Sequence, residues 1–166
     1  MPTYSSPRKL ARGDDRHDFT SGAADLDEWF RKYAWQNQLA NNATTYITTV
    51  GSRVAGFYAL AMTAITRSEA PELFARHRPA HIPAVLLARL AVDQRDHGAG
   101  LGAGLLRDAL LRSVLLSGSI GAAAVLVHCR DEAARDFYLH NGDFLRSPSD
   151  QLHLLVPVAA LNRYTD

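Results

Sequence analysis

The sequence predicts a mixed α/β fold: a mostly antiparallel central sheet flanked by helices, with one parallel pair of strands inside it. Three observations predict it. Residues 44–65 read as two β-rich arms around a turn, which makes an antiparallel hairpin. Two nearly continuous apolar runs, 82–93 and 121–129, suit strands buried on both faces. Each run is followed by a helix-like stretch, as parallel strands joined by crossovers require.

The elements follow in order. DLDEWFRKYAWQNQLA (25–40) reads as one amphipathic helix, because Leu26, Trp29, Phe30, Tyr33 and Ala34 recur at three- and four-residue spacing. Ser21 or Asp25 is positioned to cap its start, and Asn41-Asn42 to stop it. TTYITTV (44–50) and RVAGFYALAMTAI (53–65) form the hairpin around Gly51-Ser52. Residues 69–77 suit a short helix with Pro71 in its first turn and Pro79 beyond its end. The apolar strand IPAVLLARLAVD (82–93) leads into the helix GLGAGLLRDALLRSVLL, in which Asp108 and Arg112 are spaced for an i,i+4 pair. GAAAVLVHC (121–129) is the second buried strand. DEAARDFYLHNG (131–142) is a helix with acids at its positive end and Asn141-Gly142 as its stop. Residues 143–146 and 151–156 supply two short closing strands.

With 166 residues the chain suits one domain, residues 1–166, large enough to need no disulfide or metal staple. Only one cysteine, Cys129, is present, so no internal disulfide is possible; no signal-peptide pattern or membrane-length apolar run occurs, and a cytoplasmic location is expected. A net charge of +1 argues against a nucleic-acid coat protein but leaves room for local basic patches.

The stretch RDHGAGLG (95–102) carries three glycines at alternate positions between a buried strand and a helix. Backbone N–H groups and a helix dipole in that setting bind anions, and glycine lets a phosphate approach closely. The alternative is a tight turn needing positive φ. A P-loop is excluded because no lysine follows. A dinucleotide fingerprint fits Gly98, Gly100 and Ala103, yet 118–127 lacks the acid that motif requires after the next strand.

Arg95-Asp96-His97-Gly98-Ala99-Gly100 resembles the [QR]-x-x-G-x-[GA] motif of the GNAT superfamily of acyl-CoA-dependent N-acyltransferases. LARLAVD (87–93) resembles the strand before that motif, and FYLHNGDF (137–144) is similar to the family's F-Y-x-x-x-G-F, with Asp143 as an extra residue. The element order matches over the whole chain. DFTSGAADLDEWFRKYAWQNQ (18–38) and Leu90-Ala91-Val92-Asp93 further resemble the acetyltransferase toxins of bacterial toxin–antitoxin pairs.

The resemblance implies a GNAT-like sheet whose parallel pair is splayed at an acetyl-CoA site. It implies acetylation of the α-amine of aminoacyl-tRNA, a block on translation, a ribbon–helix–helix antitoxin as partner, and a homodimer. It assigns Tyr138 as the acid that protonates the leaving thiolate. The cofactor site falls on Leu90, Ala91, Val92, Arg95, His97, Gly98, Ala99, Gly100, Leu101, Gly102 and Phe137. From pattern alone, Tyr138 is a buried aromatic on an amphipathic helix. Asp96 stands where the family commonly has an aromatic or histidine, and an acid beside a phosphate must point away from it.

A GNAT enzyme acting on a small or protein amine, and a non-catalytic acyl-CoA-binding domain, are the competing functions. Arg8, Arg31, Lys32, Arg76 and Arg78 are candidates for an electrostatic rim toward tRNA, chosen by clustering. His77 and His81 have metal-pair spacing, but Pro79 breaks the helix they would need. His128 and Cys129 alternate across a strand, which suits a packed thiol better than a nucleophile pair. Asp25, Asp27 and Glu28 read as helix N-terminal charges, and no general base stands out.

Overall fold

A computed structural model describes residues 2–164. The strands are β1 (Arg8–Lys9), β2 (Thr44–Val50), β3 (Arg53–Thr66), β4 (His81–Val92), β5 (Ala124–His128), β6 (Leu145–Arg146) and β7 (His153–Pro157). The helices are α1 (Ala24–Lys32), α2 (Ala34–Leu39), α3 (Glu72–Ala75), α4 (Leu101–Ile120) and α5 (Glu132–Asn141). The strands order as β1-β2-β3-β4-β5-β7-β6. Pairs β1–β2, β2–β3, β5–β7 and β6–β7 are antiparallel, and β4–β5 is parallel, so the predicted mixed sheet is the observed one. The parallel register runs from Ala84↔Ala124 to Leu86↔Leu126, while β4 itself continues to Val92.

The chain divides into two compact units. The first runs to Ala61 and includes Ala88–Asp108. Its core joins Leu10, Phe19, Phe30, Ile47, Phe57 and Ala91. Phe30 stacks on Phe57 at 4.3 Å, and Phe19 meets Phe30 edge-on at 4.9 Å. The expected single helix over 25–40 is broken at Tyr33, whose φ/ψ of −121°/−20° leave the helical region. Two tertiary contacts override the continuous periodicity. Arg16 donates to the carbonyls of Phe30 and Arg31 at 3.1 and 3.2 Å, satisfying the last turn of α1. Gln38 bridges the Leu10 carbonyl and the Thr45 N–H at 2.8 and 3.0 Å, tying α2 to the sheet edge. Strand β1 has only two charged residues and no pattern that marks it; it exists because β2 offers a free edge.

At the start of α1 the capping residue is Ala23, not Ser21 or Asp25. Ser21 works from outside, its Oγ accepting from the Ala23 N–H at 3.1 Å. Buried Asp27 in turn accepts from the Ser21 N–H at 3.0 Å and from its hydroxyl at 2.6 Å. Asp27 is therefore a lock on the helix entry rather than a surface charge.

The second unit takes Met62–Leu87 and the chain from Ala109 onward. Its core gathers Ile65, Phe74, Ile82, Ala84, Ala124, Leu126 and Leu155. The expected helix over 69–77 shrinks to a 3-10 turn at 67–69 and the single turn α3. Thr66 and Glu69 close a capping box on the 3-10 turn, Pro71 interrupts, and His77 takes a positive φ of 64°. Helix α4 outruns its expected end at 116 and stops at Gly121, whose φ is +78° and whose N–H donates to the Ser117 carbonyl at 2.9 Å. Asp131 caps α5 by accepting from the Ala134 N–H at 2.8 Å. Among the described residues no helix is long and apolar enough to cross a membrane.

Candidate active site

The end of β4 becomes the glycine loop through a turn held by two buried carboxylates. Asp93 is 1% exposed and opens a 3-10 turn at 94–96 by accepting from the Arg95 N–H at 2.9 Å. The Arg95 guanidinium then grips the same carboxylate with Nε at 2.8 Å and Nη2 at 2.9 Å, a bidentate pair. Burial alone would push the Asp93 carboxyl up. The Arg95 side chain, with the N–H groups of Arg95 and Thr20, outweighs it and holds Asp93 well below the usual carboxylate range.

Asp96 is also buried. Arg53 holds it at 2.6 and 3.2 Å, and the Tyr4 hydroxyl donates to it at 3.0 Å. Arg53 is the main cause that keeps its carboxyl below the ordinary value. This answers the difficulty of an acid beside a phosphate site, because Asp96 turns inward onto its own cation. Arg95 is spent in the same way: its guanidinium belongs to Asp93 and, at 3.4 Å, to Asp18. It braces the turn where sequence reasoning had aimed it at the cofactor.

The same turn is stapled to the N-terminal motif. The Thr20 N–H donates to Asp93 at 3.1 Å and the Gln94 N–H to the Thr20 carbonyl at 2.8 Å. Gly22, at φ +101°, leaves the space that a side chain would contest with Gln94. Residues 18–27 and Leu90–Asp93 thus belong to one bonded structure.

Beyond the turn, His97 places Nε2 2.8 Å from the Val92 carbonyl. Gly98 and Gly100 take φ of +83° and +77°, and a Cβ at either would meet nothing within 4 Å. They are there for left-handed backbone, which other residues adopt at a cost of about 1–2 kcal/mol. The tight-turn and phosphate-cradle alternatives are therefore compatible. Gly100 accepts the first α-helical bond, from Gly104 at 3.2 Å, so α4 starts with the unpaired N–H groups of its first turn beside the exposed loop. A 20-residue helix adds a full dipole at that end. Exposed glycine backbone at a helix N-terminus, with nearby carboxylates already neutralised, fits a pyrophosphate. On β4, Ala91 faces the core while Leu90 and Val92 are half-buried on the other face.

In the second unit, Tyr138 is buried on α5, edge-on to Phe137 at 5.1 Å and to Phe144 at 5.8 Å. Among the described residues its hydroxyl has no hydrogen-bond partner. Burial, with Cys129 nearby, pushes its pKa up, so the group is a neutral hydroxyl that keeps its proton. A Cβ at Gly142 would lie 2.7 Å from the Phe144 ring, so glycine there lets Phe144 fold back under Tyr138 despite the extra Asp143. Cys129 is buried and pushed up to about 11, a protonated and inert thiol. His128 instead stacks on His153 at 4.0 Å.

The basic candidates separate. Arg8 is paired bidentately with Asp14 at 2.8 and 2.9 Å. Arg78 lies over the Phe74 ring at 4.3 Å and donates to its carbonyl at 2.8 Å. Lys32 reaches Glu28 at 3.5 Å. Arg31 and Lys32 line a cavity of about 560 Å³ in the first unit. Arg76 lines one of about 480 Å³ in the second, with Arg67 and Glu72. Sequence reasoning missed Asp93, Arg53 and Tyr4. The Asp93-x-Arg95 spacing was the available signal for the first; nothing in sequence links Arg53 or Tyr4 to Asp96.

With that geometry in place, the kinship of the chain is informative. It is 44% identical over 156 residues to a tRNA-acetylating toxin of Mycobacterium tuberculosis, covering 94% of this chain and 93% of that one. The chain belongs to the family of tRNA-acetylating toxins. A second family relative, a probable TacT toxin of Sinorhizobium fredii, is 36% identical over 157 residues and covers 89% of this chain and 87% of its own. No protein-family model matches. Among solved structures, AtaT complexed with acetyl-methionyl-tRNAfMet superposes with a TM-score of 0.89 at 23% identity, covering 99% of this chain and all of that one. AtaT has also been solved as a tyrosine-to-phenylalanine variant with acetyl-CoA and the C-terminus of its antitoxin AtaR (TM-score 0.82, 23% identity, 97% of each chain). At that identity the likeness speaks for the fold.

Proposed function

We propose that the protein is an acetyl-CoA-dependent N-acetyltransferase that acetylates the α-amine of aminoacyl-tRNA and so blocks translation. The observation that carries this is the 44% identity, over nearly the whole chain, to a tRNA-acetylating toxin. The loop geometry supports it independently.

Acetyl-CoA supplies the acetyl group, activated as a thioester. In this reading Gly98, Ala99, Gly100, Leu101 and Gly102 offer backbone N–H donors to its pyrophosphate, with His97 at the rim. Backbone groups of Leu90, Ala91 and Val92 align the pantetheine arm, and Phe137 adds apolar contact. Tyr138 holds a proton for the departing thiolate. Its raised pKa suits an acid that must remain protonated until a thiolate forms. Arg95 acts through Asp93 by bracing the loop. In this reading residues 1–166 form a single acetyltransferase domain.

The partners in this reading are charged tRNA and a ribbon–helix–helix antitoxin; the working form is a cytoplasmic homodimer. Arg31, Lys32 and Arg76 remain candidates for the tRNA rim. The test is induced expression in a bacterial host: growth and protein synthesis stop with the native chain and continue with Tyr138→Phe. Arrest that persists undiminished in Tyr138→Phe contradicts the proposed role of this hydroxyl.

A further inference from the structure

Among the described residues, Arg89, on β4, is a cation without an anion in contact. Its guanidinium carbon lies 4.3 Å from the centre of the Trp29 ring. The side chain is half-buried, yet among the described residues no hydrogen bond or close ion pair satisfies it. Burial pulls its pKa down, and the charge it feels in return is that of Asp25, one helical turn before Trp29 on α1. A guanidinium carries five N–H donors, and with no protein acceptor on them among the described residues they are open to an incoming anion.

The platform beneath it is fixed. Trp29 also stacks on Phe57, at 6.2 Å and 19° between planes, and Phe57 is fully buried in the first core. The indole therefore has Phe57 on one contact and Arg89 on another. Strand alternation puts Arg89 on the same face of β4 as Ala91, which packs into that core, and opposite Leu90 and Val92. The cation thus sits on the α1 side of the strand assigned above to the pantetheine arm.

We propose that Arg89, seated on Trp29, is a binding site for a phosphodiester of the acceptor end of the tRNA substrate. The planar fork of arginine matches phosphate oxygens bidentately, and the aromatic platform holds the fork in one orientation before binding. This assignment rests on the functional reading above. Phosphates also occur on coenzyme A, but those are allotted to the glycine loop, whose side of β4 is read by Leu90 and Val92.

The experiment compares Arg89→Met and Arg89→Lys with the native chain. Steady-state kinetics on charged tRNA are measured over a range of salt, and acetyl-CoA affinity is measured by calorimetry. Arg89→Met is expected to raise KM for charged tRNA on the order of 10–100-fold and to lower the salt slope by about one. Arg89→Lys, which keeps the charge but loses the fork, is expected between the two. Acetyl-CoA affinity stays within about twofold in both. Unchanged tRNA KM and salt slope in both variants overturn the assignment. A matching loss of acetyl-CoA affinity also overturns it, by giving the guanidinium to the cofactor. If the native chain acetylates no charged tRNA, the functional reading falls first, and this assignment falls with it.

Discussion

The Asp93 carboxylate and the Arg95 guanidinium form a bidentate pair, at 2.8 and 2.9 Å, two residues apart on the turn that launches the glycine loop. Asp93 also receives the Thr20 N–H, so one carboxylate orients the turn and anchors the N-terminal motif. Asp93→Asn keeps the shape and removes the charge. It is expected to raise the KM for acetyl-CoA on the order of tenfold, lower kcat less, and destabilise by about 2–3 kcal/mol. Kinetics and thermal melting check this; equal falls in kcat and kcat/KM would place Asp93 in the transition state instead of in loop positioning.

Tyr138→Phe removes a hydroxyl that has no hydrogen-bond partner among the described residues, so folding stability should hold. Turnover is expected to fall on the order of 10²–10⁴-fold with acetyl-CoA affinity nearly unchanged. Native-like turnover in this variant would remove Tyr138 from the chemistry.

Gly98→Ala and Gly100→Ala introduce a Cβ into open space but force it onto left-handed backbone. Each is expected to cost about 1–2 kcal/mol and to weaken acetyl-CoA binding as the loop relaxes. Calorimetry separates the two effects. Unaltered binding in both variants would mean that the loop's φ values are irrelevant to the cofactor.

Asp93 and Asp96 both have folded pKa values below the unfolded value of 3.8. The unfolded chain therefore binds more protons in that range, and stability falls with falling pH. The contribution is complete above about pH 5 and is lost progressively as pH drops through 3.8 toward the folded values. Melting curves from about pH 6 to pH 2 should show this loss, and Asp93→Asn should flatten it.

Cys129, buried and pushed up to about 11, is expected to resist thiol reagents at neutral pH and to react only on unfolding. Rapid labelling of the native protein would contradict its placement.

The hairpin, the two buried strands and the helices after them were legible because apolar runs and periodicity are local signals. The glycine loop was legible for the same reason: alternate glycines after a strand have few structural uses. The break at Tyr33 was not, since it depends on Arg16, and on the Leu10 and Thr45 backbone groups that Gln38 bridges, arriving from elsewhere in the chain. The fate of Arg95 was equally hidden. A cation in a phosphate motif reads as a phosphate ligand until its neighbour Asp93 is seen to claim it. Asp96 showed its incongruity in sequence but not its remedy, because Arg53 lies 43 residues away. Arg89 lies within the LARLAVD stretch, but nothing in that stretch sets it apart; its interest comes from a half-buried guanidinium with no ionic or hydrogen-bond partner among the described residues.

Incubation of the purified protein with carbon-14-labelled acetyl-CoA and a pool of charged tRNA tests the central claim most directly. Label is expected on the aminoacyl moiety, released with it on mild alkaline deacylation, absent when uncharged tRNA is used, and formed on the order of 10²–10⁴-fold more slowly with Tyr138→Phe. Label on polyamines or proteins, and never on aminoacyl-tRNA, would contradict it.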